Sequence, residues 1–308
     1  MRARFIPRVK NRAAIVAIGA LALVWGYNWV VLKVATGETS PFALILIRTV
    51  LGSVALFIVA AIGRRPLKSP PFLPTALIGI FQITLMTTFQ TLALVNGGAG
   101  KTTVLVYTFP FWMALLSVAF LDEKMTRMRS IAIAVAAIGF AFVLYPLDFG
   151  QSILSKVFAI AASLCWAVGS VFTKKFRIKH DVDLISFTAW QMAYGAVPVV
   201  LIALLVPGFY VHLTAPNIAA ITYIVLFGTA LAFWLWFFII ERLTATTAGI
   251  SSLLAPVVSV LAAWLQLHEQ PGMPELIGMA LIITALVINS LPTRRGPRVI
   301  PSVFERSL

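Results

Sequence analysis

Ten long apolar stretches constrain the fold of this 308-residue chain more than any other feature of its sequence. A helix needs about 20 predominantly apolar residues to cross roughly 30 Å of hydrocarbon, and each stretch has about that length. The stretches cover residues 13–35, 41–62, 72–95, 99–121, 128–146, 153–174, 184–206, 215–240, 246–267 and 272–291. The sequence therefore predicts an all-α membrane protein with ten transmembrane helices.

The composition excludes most other classes of protein. Hydrophobic residues make up 60% of the chain and charged residues 11%, and the mean hydropathy is +0.98. A soluble domain has about 25% charged residues. A soluble enzyme, a nucleic-acid-binding protein and a disordered scaffold are excluded, despite the formal net charge of +14. With one cysteine and three histidines we expect no metal site, and we expect no cofactor.

The distribution of basic residues predicts the orientation of the chain in the membrane. With the N-terminus in the cytoplasm, 20 of the 24 Lys and Arg residues fall in cytoplasmic segments and 3 at outer helix ends. Cytoplasmic segments of membrane proteins carry such an excess of positive charge. We therefore expect the basic tails, 1–12 and 292–308, to lie in the cytoplasm of a bacterium, and the chain to span its cytoplasmic (inner) membrane.

The two halves of the chain share residues at an offset of about 141 to 146 positions. The pairs are Trp25 with Trp166, Arg48 with Gln191, Gly52 with Gly195, Pro110 with Pro256, and Glu123 with Glu269. Each half, 13–146 and 153–291, contains five predicted helices. Because five is odd, the second half enters the membrane in the opposite orientation. Such repeats hold their substrate site near the midplane between the halves. We therefore predict two inverted five-helix repeats around a central cavity.

Each half carries a Pro in its fourth helix and a Glu thirteen residues later, at Pro110 and Glu123 and again at Pro256 and Glu269. In this pattern the chain resembles the drug/metabolite transporter superfamily, EamA type, over about residues 13–291, and within it the bacterial aromatic amino-acid exporters. The resemblance implies a transporter that is not an enzyme. It also implies a monomer that exports aromatic and other apolar, neutral amino acids by alternating access. The alternative is an exporter of other small lipophilic compounds or drugs.

In that superfamily the first, third, fourth, sixth, eighth and ninth helices surround the cavity, so their aromatic and neutral polar residues are the candidates for substrate binding. Rings stack on apolar side chains, whereas amides and hydroxyls meet an ammonium and a carboxylate. The candidates are Trp25, Asn28, Gln82, Thr88, Tyr107, Trp166, Ser170, Phe233, Trp236 and Ser252. The alternative role for each is ordinary helix packing. Pro110 and Pro256 are candidate hinges, because proline removes a backbone hydrogen bond.

Helical periodicity groups these candidates into faces, because positions i, i+3, i+4 and i+7 share a side. In the third helix it places Thr84, Thr87, Thr88 and Thr91 on one face and Gln82 and Gln90 toward the other. For Trp166 we expect a stacking surface for substrate. Trp166→Ala would then weaken transport of an aromatic amino acid without lowering the melting temperature.

Arg48 is the deepest charge in the predicted spans, and Lys33 lies nearer the end of its helix. Arg48 either holds a substrate carboxylate or is a structural residue that pairs with helix ends or snorkels outward, and the sequence favours the structural role. We expect Lys33, nearer a helix end, to snorkel. None of the ten carboxylates falls at the middle of a span, which disfavours direct proton coupling and favours facilitated diffusion.

Overall fold

The structure, a computed structural model, describes residues 11–121, 125–145, 153–242 and 251–290. These ranges contain helices and no strand; an isolated bridge joins Thr39 to Val211 between two loops. Almost all of the two basic tails lies outside the described residues, as does Glu123.

Helices occur in each of the ten apolar stretches. In the first half they are α1 (Asn11–Glu38), α2 (Pro41–Ile62), α3 (Phe72–Gly79, Ile80–Leu85 and Met86–Val95), α4 (Ala99–Val106 and Phe109–Leu121) and α5 (Arg127–Leu144). In the second half they are α6 (Ile153–Lys179), α7 (Leu184–Leu205), α8 (Ala215–Tyr223, Ile224–Leu231 and Ala232–Arg242), α9 (Leu254–Leu267) and α10 (Met273–Ser290).

Local chemistry sets several of the helix starts. The side chains of Thr126, Asp183 and Thr214 each accept a hydrogen bond from a backbone N–H in the first turn of α5, α7 and α8. These contacts satisfy donors that have no partner inside the helix. Pro41 begins α2, where its missing N–H is not needed.

Seven helical stretches of the described residues are long and apolar enough to cross a membrane. They are Ala13–Glu38, Pro41–Ile62, Phe72–Val95, Thr102–Leu121, Ile153–Arg177, Leu184–Leu205 and Ala215–Trp236. Two shorter apolar helices, Leu254–Leu267 and Met273–Ala285, lie in the ninth and tenth predicted spans. The chain is therefore an all-helical membrane protein, and the count of ten spans stays a prediction.

The helices pack in pairs that are related by exchanging the two halves. Helix α1 packs on α9 and α8, just as α6 packs on α4 and α3. Helix α2 packs on α8, as α7 packs on α3. Three further packed pairs, α2–α7, α4–α9 and α5–α10, each join a helix to its own counterpart in the other half. This pattern is the one that a two-fold internal repeat would produce. The orientation of either half across a membrane stays a prediction.

The α5–α10 pair depends on two glycines that bring the backbones together. A Cβ added at Gly139 would lie 2.8 Å from the carbonyl oxygen of Gly278, and one added at Gly278 would lie 2.5 Å from that of Gly139. Small residues at such crossings allow membrane helices to approach closely.

Irregular turns interrupt α3, α8, α4 and α9 at related places. Helices α3 and α8 each contain a π-helical stretch, at Ile80–Leu85 and Ile224–Leu231. Helix α4 breaks at Tyr107 and Thr108, and α9 begins after a turn at 252–253. A π-helical turn inserts a residue and rotates the following side chains around the axis, and it often marks a functional site. The π-helical stretches of α3 and α8 therefore lie at related places in the two halves, as do the turns at 107–108 and 252–253.

Candidate substrate cavity

A cavity of about 50 Å³ lies in the middle of the bundle, among α1, α2, α3, α4, α6, α7 and α8. Its lining residues are Trp25, Asn28, Trp29, Arg48, Thr49, Gln82, Ile83, Met86, Thr87, Gln90, Tyr107, Trp166, Met192, Gly228, Thr229 and Phe233. This volume holds a few water molecules, whereas pockets for small molecules measure about 300–1,000 Å³. The cavity must therefore widen before it can admit a ligand larger than water.

Aromatic rings form one wall of the cavity. Trp166 stacks on Phe109 with ring centroids 4.0 Å apart and meets Trp25 edge-on at 5.6 Å. It also meets Tyr107 edge-on at 5.6 Å, and Phe233 meets Trp25 at 6.3 Å. These are the offset and edge-to-face arrangements that aromatic pairs prefer. Trp25 is fixed further, because its indole N–H donates to the carbonyl of Gly228 at 3.3 Å.

Amide side chains form a connected polar path beside that wall. Gln191 Nε2 donates to Gln82 Oε1 at 2.6 Å, and Gln82 Nε2 donates to Ser170 Oγ at 3.3 Å. Gln82 also packs closely on Gly169, where an added Cβ would lie 2.5 Å from its own Cβ. The path joins α7, α3 and α6, so it ties the two halves together at the edge of the cavity.

Asn28 differs from these amides because its carboxamide oxygen has no hydrogen-bond partner. The residue is 4% exposed and lines the cavity. Its Oδ1 occupies the space where a Cβ on Gly228 would lie, so only glycine fits there. An unpaired buried acceptor costs free energy unless water or a ligand supplies a donor.

Arg48 is the cation of the cavity wall. It lies on α2, is partly buried, and donates from Nη1 to Gln90 Oε1 at a long 3.4 Å. A guanidinium has five N–H donors. Arg65 forms an ion pair with Asp183, at 3.3 Å. No carboxylate in the part of the chain that the structure describes forms one with Arg48. Arg48 therefore faces the cavity rather than snorkelling outward, and its role, structural or in substrate binding, stays a prediction.

The structure brings six of the ten sequence-predicted candidates to the cavity wall: Trp25, Asn28, Gln82, Tyr107, Trp166 and Phe233. Ser170 stands behind the wall and reaches it through its bond to Gln82. Trp236 and Ser252 line a smaller space behind Trp25. Thr88 reaches neither space, and none of the described residues of the ninth span, one of the six implied by the resemblance, lies in this wall.

The threonine face predicted for α3 is not the face that lines the cavity; the side with Gln82 and Gln90 is. The cavity face carries Gln82, Ile83, Met86, Thr87 and Gln90. The side chains of Thr84 and Thr87 bond backbone carbonyls instead, Thr84 on Gly195 of α7 at 2.6 Å and Thr87 on its own helix. A threonine hydroxyl can satisfy itself in this way, so it is a weak marker of a polar cavity. The glutamines are the better signal: Gln82 is among the predicted candidates, and Gln90 is not.

Pro110 and Pro256 each follow a helix interruption. Pro110 lies in the first turn of Phe109–Leu121, directly after the break at Tyr107, and Pro256 lies in the first turn of α9. Proline fits a first turn because that position has no helical partner for an N–H. The break at Tyr107 places this side chain, 1% exposed, at the cavity wall. Bending at either break stays a prediction.

Two charged residues from other parts of the bundle, Lys33 of α1 and Glu269 just after α9, contact the turn between α3 and α4. Lys33 Nζ donates to the carbonyls of Leu94 and Gly97, at 2.9 and 2.7 Å. Glu269 accepts from the backbone N–H groups of Ala99 and Gly100, at 3.1 and 3.2 Å. A cation thus meets the end of one helix and an anion meets the start of the next, as helix dipoles favour. The predicted snorkelling of Lys33 is wrong, because its ammonium binds these carbonyls.

His268 orients Glu269 toward α4. It ends α9 in the left-handed conformation, with φ of 56°, and the N–H of Glu269 then bonds the carbonyl of Ala263 at 3.3 Å. This turn directs the carboxylate away from its own helix. We name the contacts of Lys33 and Glu269 with the 94–100 turn the α3–α4 clamp. A space of about 320 Å³ adjoins it, lined in part by Val104, Val260 and Glu275.

Comparison with known proteins identifies the class of this membrane protein. The profile of the EamA-like transporter family matches residues 12–145 and again residues 154–291. The chain belongs to the EamA-like transporter family, within the drug/metabolite transporter superfamily. It is a transporter and not an enzyme, as the sequence resemblance implied.

Individual relatives cover nearly the whole chain. An uncharacterized transporter of Bacillus subtilis (strain 168), YvbV, is 30% identical over 97% of this chain and 98% of its own length. A protein of Salmonella typhimurium named as a probable amino-acid metabolite efflux pump is 27% identical over 91% of this chain and 96% of its own. A solved crystal structure, 21% identical in sequence, has a TM-score of 0.73 and covers 92% of this chain and 99% of its own. It supports the fold alone.

Proposed function

We propose that the protein exports amino acids, chiefly aromatic and other apolar, neutral ones, across the cytoplasmic membrane of a bacterium. The observation that carries this proposal is the composition of the central cavity. The rings of Trp25, Trp166 and Phe233 stand beside the amides of Asn28, Gln82 and Gln90 in one wall. Such a wall suits a small molecule with an apolar side chain and polar ends. The relative from Salmonella, named as an amino-acid metabolite efflux pump, supports the same class of substrate.

The proposed mechanism is alternating access by a monomer whose two inverted halves move against each other. The cavity of about 50 Å³ is too small for an amino acid, so helices must separate on one side at a time. The related breaks beside Pro110 and Pro256 are the proposed hinges, and the α3–α4 clamp is the proposed closed outer end. Both termini lie in the cytoplasm in this proposal, following the distribution of Lys and Arg.

Transport is facilitative in this proposal. Among the described residues that line the central cavity, none is Asp or Glu. A carboxylate inside the membrane is the usual relay of a proton-coupled carrier. Net movement would then follow the gradient of the amino acid, which is outward when the cell accumulates it.

Counterflow in proteoliposomes tests the substrate class. Vesicles loaded with unlabelled phenylalanine should transiently accumulate labelled phenylalanine from outside, and external tryptophan or leucine should compete. Lysine and the lipophilic cation tetraphenylphosphonium should compete weakly, because none of the described residues that line the cavity is a carboxylate that could meet their positive charge. An inward pH gradient in the absence of internal phenylalanine should drive no uphill accumulation.

Other outcomes of that experiment point to other transporters. Competition by the lipophilic cation with none by amino acids would favour the drug-exporter alternative. Flux that never saturates would indicate a channel, and accumulation driven by the pH gradient alone would refute facilitated diffusion.

A further inference from the structure

The guanidinium of Arg48 is a cation in the cavity wall with most of its hydrogen-bonding capacity unused. Its described hydrogen bond is the long one to Gln90, at 3.4 Å. A charge removed from bulk water and left without an anionic partner is costly, so the site favours an anion that can enter it. The flat guanidinium binds a carboxylate through two parallel hydrogen bonds, which adds orientation to attraction.

Lys33, by contrast, is a cation of the same bundle whose charged group has close hydrogen-bond acceptors. Its ammonium donates to two backbone carbonyls, at 2.9 and 2.7 Å, and so closes a helix end. Arg48 has no such role, since the partner it contacts is the neutral side chain of Gln90 on α3. A purely structural function does not explain why this charge faces the space between the helices.

The corresponding position in the second half is already satisfied. Gln191, the repeat counterpart of Arg48, donates to Gln82 at 2.6 Å, and Gln82 donates onward to Ser170. The two sides of the cavity are therefore chemically different. An anion that enters the cavity can accept hydrogen bonds from the guanidinium of Arg48 on α2. On the α7 side, the amide of Gln191 already donates to Gln82.

Asn28 supplies the complementary group. Its Oδ1 is an acceptor without a partner, in a side chain that is 4% exposed and lines the same cavity. An ammonium group is a donor that could satisfy this oxygen without placing a second fixed charge in the site. The rings of Trp25 and Phe233 line the wall between α1 and α8 and offer an apolar surface.

We propose that Arg48 binds the carboxylate and Asn28 the ammonium of a zwitterionic amino acid, so that the cavity selects for the α-amino-acid backbone itself. This inference rests on the proposed function and specifies how the substrate is recognised. It requires that ligands lacking either polar group bind more weakly than the amino acid.

Three probes separate the two contacts: phenylalanine, phenylalaninamide, which lacks the carboxylate, and 3-phenylpropanoate, which lacks the ammonium. Each is measured as a competitor of phenylalanine counterflow in wild-type protein and in Arg48→Gln, which copies the residue at position 191. The expected result is a loss of apparent affinity of about 10- to 100-fold for phenylalanine and for 3-phenylpropanoate in the variant. Phenylalaninamide should be unaffected. Arg48→Lys should fall between the two proteins for the carboxylate-bearing probes.

Asn28→Ala provides the reciprocal pattern, with weaker binding of phenylalanine and phenylalaninamide and unchanged binding of 3-phenylpropanoate. Arg65→Gln is the matched control, because Arg65 forms its ion pair with Asp183 at a loop, away from the cavity. It should leave all three affinities unchanged.

Equal losses for all three probes in Arg48→Gln, or a lowered melting temperature with loss of all binding in both Arg48 variants, would overturn the inference in favour of a structural arginine. Such a result leaves wild-type phenylalanine counterflow intact, so the proposed function would survive. Absence of counterflow and of competition in the wild-type protein would instead overturn both.

Discussion

Replacing Glu269 by glutamine is expected to make a thiol beneath the α3–α4 clamp react about tenfold faster. The carboxylate accepts two backbone N–H groups from the start of α4. Glutamine keeps one acceptor oxygen and turns an NH₂ donor toward the second N–H, so one contact and the charge are lost. A hydrogen bond to a charged group contributes roughly 1.5–3 kcal/mol. Glu269 is partly exposed, so we take the lower end of this range, and 1.4 kcal/mol corresponds to about tenfold.

The reporter is a cysteine at Val104, which is 1% exposed and lines the space that adjoins the clamp. It is placed in a Cys165→Ala background and labelled with a maleimide in purified, detergent-solubilised protein. Glu275→Gln is the matched control, since Glu275 lines the same space and its Oε2 accepts from the N–H of Gly272, just before α10, at 2.7 Å. It removes the same charge from the same space and leaves both contacts of Glu269 with α4 in place. Equal labelling rates in Glu269→Gln and its parent would show that the clamp does not hold this end closed.

Trp166→Ala is expected to destabilise the protein by roughly 3–5 kcal/mol, the range for truncating a buried large aromatic side chain. Trp166 is 6% exposed and packs on three rings, including the stack on Phe109 at 4.0 Å. Transport of phenylalanine and of alanine should fall together, because the cavity wall itself collapses. A thermal melt in detergent beside uptake of both amino acids measures this. It replaces the expectation from sequence that stability would be unchanged.

Phe233→Leu is the companion variant. Phe233 is partly exposed at the cavity, so losing its ring should spare the melting temperature and reduce uptake of phenylalanine more than that of alanine. If Trp166→Ala kept the melting temperature of the wild-type protein and lost transport of phenylalanine but not of alanine, the packing role assigned to Trp166 would be contradicted.

The helices and the repeat could be predicted from sequence because each rests on many residues at once. Ten apolar stretches and paired Trp, Pro and Glu residues tolerate errors at single positions. The side chains at the cavity could be predicted only in part. An apolar membrane helix has no strongly polar face to fix its rotation, and α3 turns the face with Gln82 and Gln90, rather than the face with Thr84, Thr88 and Thr91, toward the cavity.

The partners of the charged residues could not be predicted, for a different reason. The roles of Arg48 and Lys33 depend on partners 42 to 64 positions away along the chain, Gln90 for Arg48 and Leu94 and Gly97 for Lys33. Nothing in the local sequence distinguishes a lysine that binds carbonyls from one that snorkels. Distances between helices decide this, and they emerge only when the bundle is assembled.

Blocking the central cavity tests most directly whether amino acids pass through it. A single cysteine replaces Met86, a cavity residue, in a Cys165→Ala background, and phenylalanine counterflow is measured in the same vesicles before and after modification by a bulky thiol reagent. A cysteine at Leu51, which is 46% exposed on α2 and faces away from the cavity, is the control. We expect modification at position 86 to abolish counterflow and phenylalanine to slow that modification, with no effect at position 51. Undiminished counterflow after complete modification at position 86 would contradict a transport path through this cavity.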